Sequence, residues 1–210
     1  TEDLEIQDEE IVNFIKAVKN QPQIFLQVPR IPENSFQKCQ NLFYVESSCF
    51  QILKNGFKEC QRLQVASFPL LKSVSANAFQ FCYSLNTFSA PNCSEIGDSA
   101  FEFTINLKEF DVSPVVNLGR FALGHSGICQ TRAAKVAEGC FRGSSLKQLA
   151  CGELSKGALD GAEMLQNVSS NFVSQKEKHE QIQEIEVLTQ GLQKKQVKAK
   201  FYSLKRILDR

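Results

Sequence analysis

From residue 31 onward the hydrophobic positions recur with a period of 21 to 22 residues rather than in the rhythm of one helix or strand. The first copy reads Ile31-Pro32-Glu33-Asn34-Ser35-Phe36, followed by Cys39 and Leu42. Ile52, Phe57, Cys60 and Leu63 repeat that order, and Val74, Phe79, Cys82 and Leu85 repeat it again. In the fourth copy Ile96-Gly97-Asp98-Ser99-Ala100-Phe101 is followed by Thr104 in the cysteine slot and by Leu107. Each copy thus has an aliphatic residue, three mostly polar ones, a small residue, Phe, x-x-Cys and x-x-Leu. Self-similarity at such a period marks a stack of supersecondary units.

Within one period two limbs are legible. After the leucine comes alternation, as in Leu85-Asn86-Thr87-Phe88-Ser89-Ala90 and Leu107-Lys108-Glu109-Phe110-Asp111-Val112. Alternation that ends near Pro69, Pro91 or Pro114 predicts a short strand closed by a turn. The return limb, with its small-Phe-x-x-Cys stretch, is too short for a long helix and predicts a single helical turn or an irregular arc. Later copies shorten. Leu118 opens a fifth with Leu123 where Phe belongs, and Val136 and Leu154 open two more at spacings of 18. Ser126, Ser144 and Ala162 keep the cysteine slot small, and Leu146 and Leu165 recover the leucine. Seven coils are expected. One repeat buries too few side chains to offset the entropy of ordering its backbone, so neighbouring coils must supply the rest.

This pattern resembles the leucine-rich repeats of the BspA-like family, of form I-G-x-x-A-F-x-x-C-x-x-L-x-x-I-x-I-P. Ile96-Gly97, Ala100-Phe101 and Leu107 are the best match, and Phe-x-x-Cys-x-x-Leu recurs at three earlier sites. The resemblance covers about residues 24–172 and is weakest after Leu118, where Leu123 and Leu159 lack the Phe. It implies an α/β repeat fold, a right-handed leucine-rich-repeat solenoid with a parallel β-sheet on one face. It also implies the binding of proteins or host surfaces and no catalytic residues.

Both ends read differently. Asp8-Glu9-Glu10 precedes Ile11, Val12, Phe14, Ile15 and Val18, which predicts an amphipathic helix with acids at its N-terminus. Ile24, Leu26 and Val28 before Pro29 read as an entry strand. Residues 1–28 are therefore expected to form an N-terminal helical cap with an entry strand, and residues 29–173 the solenoid. A partner-docking helix is the other reading of 8–28. Over 174–210 Gln, Lys and Glu rise, and Ile182, Ile185, Leu188, Leu192, Val197, Phe201, Leu204 and Leu208 follow at helical spacing. A charged C-terminal helix is expected, in one or two pieces around Gly191, with early acids and late bases as the helix dipole favours. Three roles fit it: a cover on the last coil, a weak self-associating coiled coil, or a basic amphipathic membrane- or partner-binding helix.

Composition narrows the function. Lys+Arg is 24 against Asp+Glu 23, a net charge of +1, so no global field draws the chain to nucleic acid. No apolar run reaches the roughly 20 residues of a membrane span. The start is acidic, unlike a secretory leader. These features favour the cytoplasm over the cell surface, although Thr at position 1 leaves the compartment open. Eight cysteines without a C-x-x-C pair, three of them in one repeat slot, read as buried structural thiols. Gly124-His125-Ser126-Gly127 mimics a nucleophile elbow, but the fifth position is Ile128. Only His125 and His179 are histidines, with no ligand set at metal spacing, so neither a metal nor a cofactor is expected. Asn92-Cys93-Ser94 and Asn167-Val168-Ser169 are sequons that matter only in a secreted chain.

One extended surface remains. Between the inward positions of the strands, Phe43, Tyr44, Glu46, Gln64, Ser67, Asn86, Thr87, Ser89, Lys108, Glu109 and Asp111 should point outward. The chain is accordingly read as a non-enzymatic scaffold that offers this face to a protein, with Phe43 and Tyr44 as anchors. The alternatives are an adhesin-like surface protein for host protein or glycan, and an assembly or cytoskeletal component that self-associates through 174–210.

Overall fold

The computed structural model describes residues 8–112 and 116–169. Helix α1 (Asp8–Val18) comes first and buries Ile11 and Ile15 in the core, as its spacing predicts. Strands then follow in pairs, one pair to a coil: β1 (Gln23–Leu26) with β2 (Arg30–Ile31), β3 (Tyr44–Ser47) with β4 (Gln51–Ile52), and β5 (Val65–Ser67) with β6 (Ser73–Val74). Next are β7 (Thr87–Ala90) with β8 (Glu95–Ile96) and β9 (Glu109–Val112) with β10 (Asn117–Leu118). The last three strands are β11 (Gln130–Val136), β12 (Gln148–Leu154) and β13 (Asn167–Ser169).

Odd strands β1-β3-β5-β7-β9 form one parallel sheet, in line with the alternation after each leucine. The rest form a second sheet in the order β13-β12-β11-β10-β8-β6-β4-β2, also parallel. A sheet on one face is therefore half of the picture. Each aliphatic residue that opens a repeat (Ile31, Ile52, Val74, Ile96, Leu118) is the inward residue of a two-residue strand in the second sheet.

Shortening of the late repeats has a visible cause. In the 22-residue coils a corner separates the two strands, built around Pro69 in one coil and Pro91 in the next. When the spacing falls to 18 the corner is gone, and the two strands run together as the seven-residue β11 and β12. Only the ends of β11 at Lys135 and Val136 continue the ladder from β10. Residues Gln130 to Ala133 pair with β12 and leave the first sheet to end at β9 among the described residues. Phe110 and Val112 there stay half-buried over a cleft of about 470 Å³ lined also by Thr131, Leu149 and Ala150.

The interior is one column. Phe36, Phe57, Phe79 and Phe101 are fully buried and stack ring on ring, with centroids 5.0, 5.2 and 5.1 Å apart and planes within 10°. That spacing is close to the rise between paired strands, so each coil delivers one ring to the next. Leu123, Phe141 and Leu159 occupy the same slot and are also buried. Phe68 and Phe88 close the column from the side, Phe88 meeting Phe101 edge-on at 4.7 Å.

The arcs turn on left-handed backbone. Two residues before the Phe slot, φ is positive at Asn34, Asn55, Asn77, Ser99, Phe121, Gly139 and Gly157. Two residues after it, φ is positive at Lys38, Glu59, Phe81, Phe103, His125, Gly143 and Gly161. Asparagine at the first position fits, since its short amide tolerates this region, and the Asn55 amide donates to Asn34 Oδ1 at 2.9 Å. The expected irregular return limb is this pair of columns. The C-terminal helix expected over 174–210 lies outside the described residues.

Candidate functional site

Parallel register sets the outward residues of the first sheet in rows. One row runs Gln23, Tyr44, Val65, Thr87, Glu109, and another runs Phe25, Glu46, Ser67, Ser89, Asp111. The inward residues Ile24, Val45, Ala66, Phe88 and Phe110 lie between them and hold the strands to the core. A third row forms where the chain enters each strand. The Gln64 backbone N–H donates to the Phe43 carbonyl at 2.8 Å, that of Asn86 to the Gln64 carbonyl at 2.9 Å and that of Lys108 to the Asn86 carbonyl at 3.0 Å. All eleven residues expected to face outward fall in these three rows. Phe43 is exposed, Tyr44 and Glu46 are half-buried, and Glu109 and Asp111 are exposed.

Gln23, Phe25 and Val65 share the face without having been expected there. Phe25 is 64% exposed and lies 5.6 Å from the Tyr44 ring. Its strand reads from the sequence as the end of a cap, not as the first strand of the sheet. The signal that could have placed it is the alternation Ile24, Leu26, Val28 with Phe25 between.

Chemistry changes along the rows. At the N-terminal end Phe25 and Tyr44 make an aromatic corner, and the Tyr44 hydroxyl donates to Glu46 Oε2 at 2.8 Å. That hydrogen bond first, then burial and the carboxylate's charge, holds the phenol above its ordinary value. The middle is hydroxylated: Ser67, Thr87 and Ser89. At the far end two carboxylates receive those hydroxyls, Thr87 Oγ1 lying 3.1 Å from Glu109 Oε2 and Ser89 Oγ 3.2 Å from Asp111 Oδ2. Thr87 has one proton and a competing acceptor in Asn86 Oδ1 at 3.0 Å, so Glu109 keeps free acceptor capacity. The rows hold three carboxylates (Glu46, Glu109, Asp111) against one ammonium (Lys108).

The other candidate chemistry is absorbed by the fold. Ser126 is buried and donates to the Leu123 carbonyl at 2.7 Å, the place Thr104 takes toward Phe101 one coil earlier. His125 stacks flat on Phe103 at 4.5 Å, and Phe103 on Phe81 at 5.1 Å, an outer ladder on the arcs. No cluster of three or more His, Cys, Asp or Glu that could hold a metal ion occurs among the described residues. All eight cysteines are free and seven are buried; Cys129 is exposed, contrary to expectation. No described helix is long and apolar enough to cross a membrane.

The family model for the BspA type leucine rich repeat region matches residues 16–129 in six copies. None of the curated proteins compared matches the chain. A solved structure similar to it is a leucine rich cell surface protein from Faecalibacterium prausnitzii A2-165, at 12% identity and a TM-score of 0.35. That alignment covers 72% of this chain and 70% of the other.

Proposed function

The chain belongs to the BspA-type leucine-rich repeat family, and we propose that it is a non-enzymatic scaffold that binds a protein through the outward rows of its first sheet. One observation carries this reading: three rows at a fixed pitch, aromatic at one end, hydroxylated in the middle and acidic at the other, which the core does not use. Such a surface fits a partner with an apolar side chain for the Phe25–Tyr44 corner and amide or basic donors for Glu109 and Asp111. Affinity would come from many modest contacts around that aromatic anchor.

Site-specific photo-crosslinking tests the proposal. A crosslinking side chain at Ser67 or Ser89 should yield adducts with a protein partner, and one at Glu102 on the arc should not. Adducts from Glu102 alone, or equally from all three positions, would exclude the sheet face.

A further inference from the structure

Cys39, Cys60 and Cys82 fill one slot in three successive coils, each three residues after a phenylalanine of the column. Neighbouring members of the slot lie one coil apart, and the Phe36 and Phe57 rings record that pitch as 5.0 Å. A disulfide spans Cα separations of about 4.4–6.8 Å, so the pitch suits one. Backbone and side chains lock the first two copies in register. The Lys38 N–H donates to the Lys58 carbonyl at 2.8 Å, and the Lys38 ammonium lies 3.8 Å from the Glu59 carboxylate. The Phe36 carbonyl receives both the Cys39 N–H at 3.1 Å and the Cys60 S–H at 2.9 Å. The Cys60 thiol is also within hydrogen-bond reach of the Cys39 sulfur.

The members of the slot differ in access and in charge. Cys39 is 9% exposed, whereas Cys60 and Cys82 are fully buried. The hydrogen bond from Cys60 outweighs burial and favours the Cys39 thiolate, and Lys19, just past the end of α1, adds to it. The same hydrogen bond, then burial, keeps the proton on Cys60. A nucleophilic sulfur at an opening is thus backed by a second sulfur that solvent does not reach, the pairing of an attacking and a resolving thiol.

We propose that Cys39 and Cys60 form an oxidation site at which hydrogen peroxide converts the two thiols into a disulfide between the first two coils. The Cys39 sulfur attacks a peroxide oxygen: the S–O bond forms, the O–O bond breaks, and the departing hydroxide takes up the proton that Cys39 released and becomes water. The Cys60 sulfur then attacks the Cys39 sulfur. The S–S bond forms as the S–O bond breaks, and the hydroxyl leaves with the Cys60 proton as a second water. Two electrons pass from the sulfurs to the peroxide. The narrow opening at Cys39 admits a peroxide and excludes a bulky disulfide. The new bond closes the chain over residues 39–60 and ties the first coil, which has a repeat neighbour on one side only, to the second. None of this depends on what the sheet face binds.

Hydrogen peroxide added to the folded, reduced full chain, followed by alkylation and peptide mapping, tests the site. A Cys39–Cys60 linkage within the monomer is expected before the exposed Cys129 is consumed, and dithiothreitol should reverse it. Cys60→Ser, a residue this slot already holds at Ser126 and Ser144, should leave Cys39 as a sulfenic acid that dimedone traps. Cys39→Ser should leave Cys60 unmodified. Consumption of Cys129 while Cys39 and Cys60 still alkylate overturns the proposal, and that result on the parent chain needs no variant to fold. Oxidation of Cys39 without a linkage, a linkage of Cys60 to Cys82, or one found only between chains overturns it as well.

Discussion

In the small slot after each column residue, side-chain length decides the hydrogen bond. The Cys60 and Cys82 thiols reach back one coil, to the Phe36 carbonyl at 2.9 Å and the Phe57 carbonyl at 3.1 Å. Thr104 and Ser126, with shorter bonds to oxygen, turn to Phe101 and Leu123 of their own coil. Burial raises Cys82 and the buried thiols outside that slot as well: Cys49, Cys93 and Cys151 to about 11, Cys140 to about 12, and Cys82 further still. Cys39 goes the other way, because the Cys60 thiol beside it and then Lys19 favour its thiolate. A raised value means that the folded state keeps protons the unfolded chain releases above its ordinary thiol value of 9.0. Stability is therefore fully present below pH ~9 and falls from there toward pH ~11, by up to about 1.4 kcal/mol per pH unit for each such thiol. Urea midpoints measured from pH 8 to 10.5 should fall more shallowly in Cys82→Ala, whose side chain Ala162 already carries in the same slot. Equal slopes would mean that Cys82 is not held protonated. This slot and the phenylalanine slot were legible because one residue type recurs at a fixed offset. The left-handed positions were not, since Asn34, Asn55 and Asn77 give way to Ser, Phe and Gly while the backbone stays the same.

Strands differ in what covers them. Phe88 lies between β5 and β9 and is fully buried, whereas Phe110, one strand later, is half-buried at β9, where the first sheet ends among the described residues. Phe88→Ala should cost about 3–5 kcal/mol, and Phe110→Ala roughly half of that, since its ring is only half-buried and less of it would leave a cavity. Urea unfolding of the two variants checks the ratio, and equal losses would mean that β9 is as covered as β7. The first sheet was readable from alternation over four to six residues. The second was not, because a strand such as Gln51–Ile52 contains one inward residue and no alternation. Corner loss in β11 and β12 was visible only as a period of 18, with nothing in that number to say that two strands had merged. Of the candidate face, alternation gave the residues, while pairing of β1 with β3 was needed to add Phe25.

At the scale of the molecule, parallel ladders and the stacked phenylalanine rings join each described coil to the next. Each coil touches the coils before and after it, and the stability of such an array is a sum over coils and the interfaces between them. The outward rows of the first sheet keep their pitch for the same reason that the rings do, and a break in the column would misalign both. Phe79 is the place to break it. Its ring stacks on Phe57 at 5.2 Å and on Phe101 at 5.1 Å, and Phe88 meets it edge-on at 5.3 Å. Thermal melting of Phe79→Ala beside the parent chain is the most direct test. A loss of about 3–5 kcal/mol is expected, with the whole transition moved to lower temperature. Unchanged melting would contradict the continuous column.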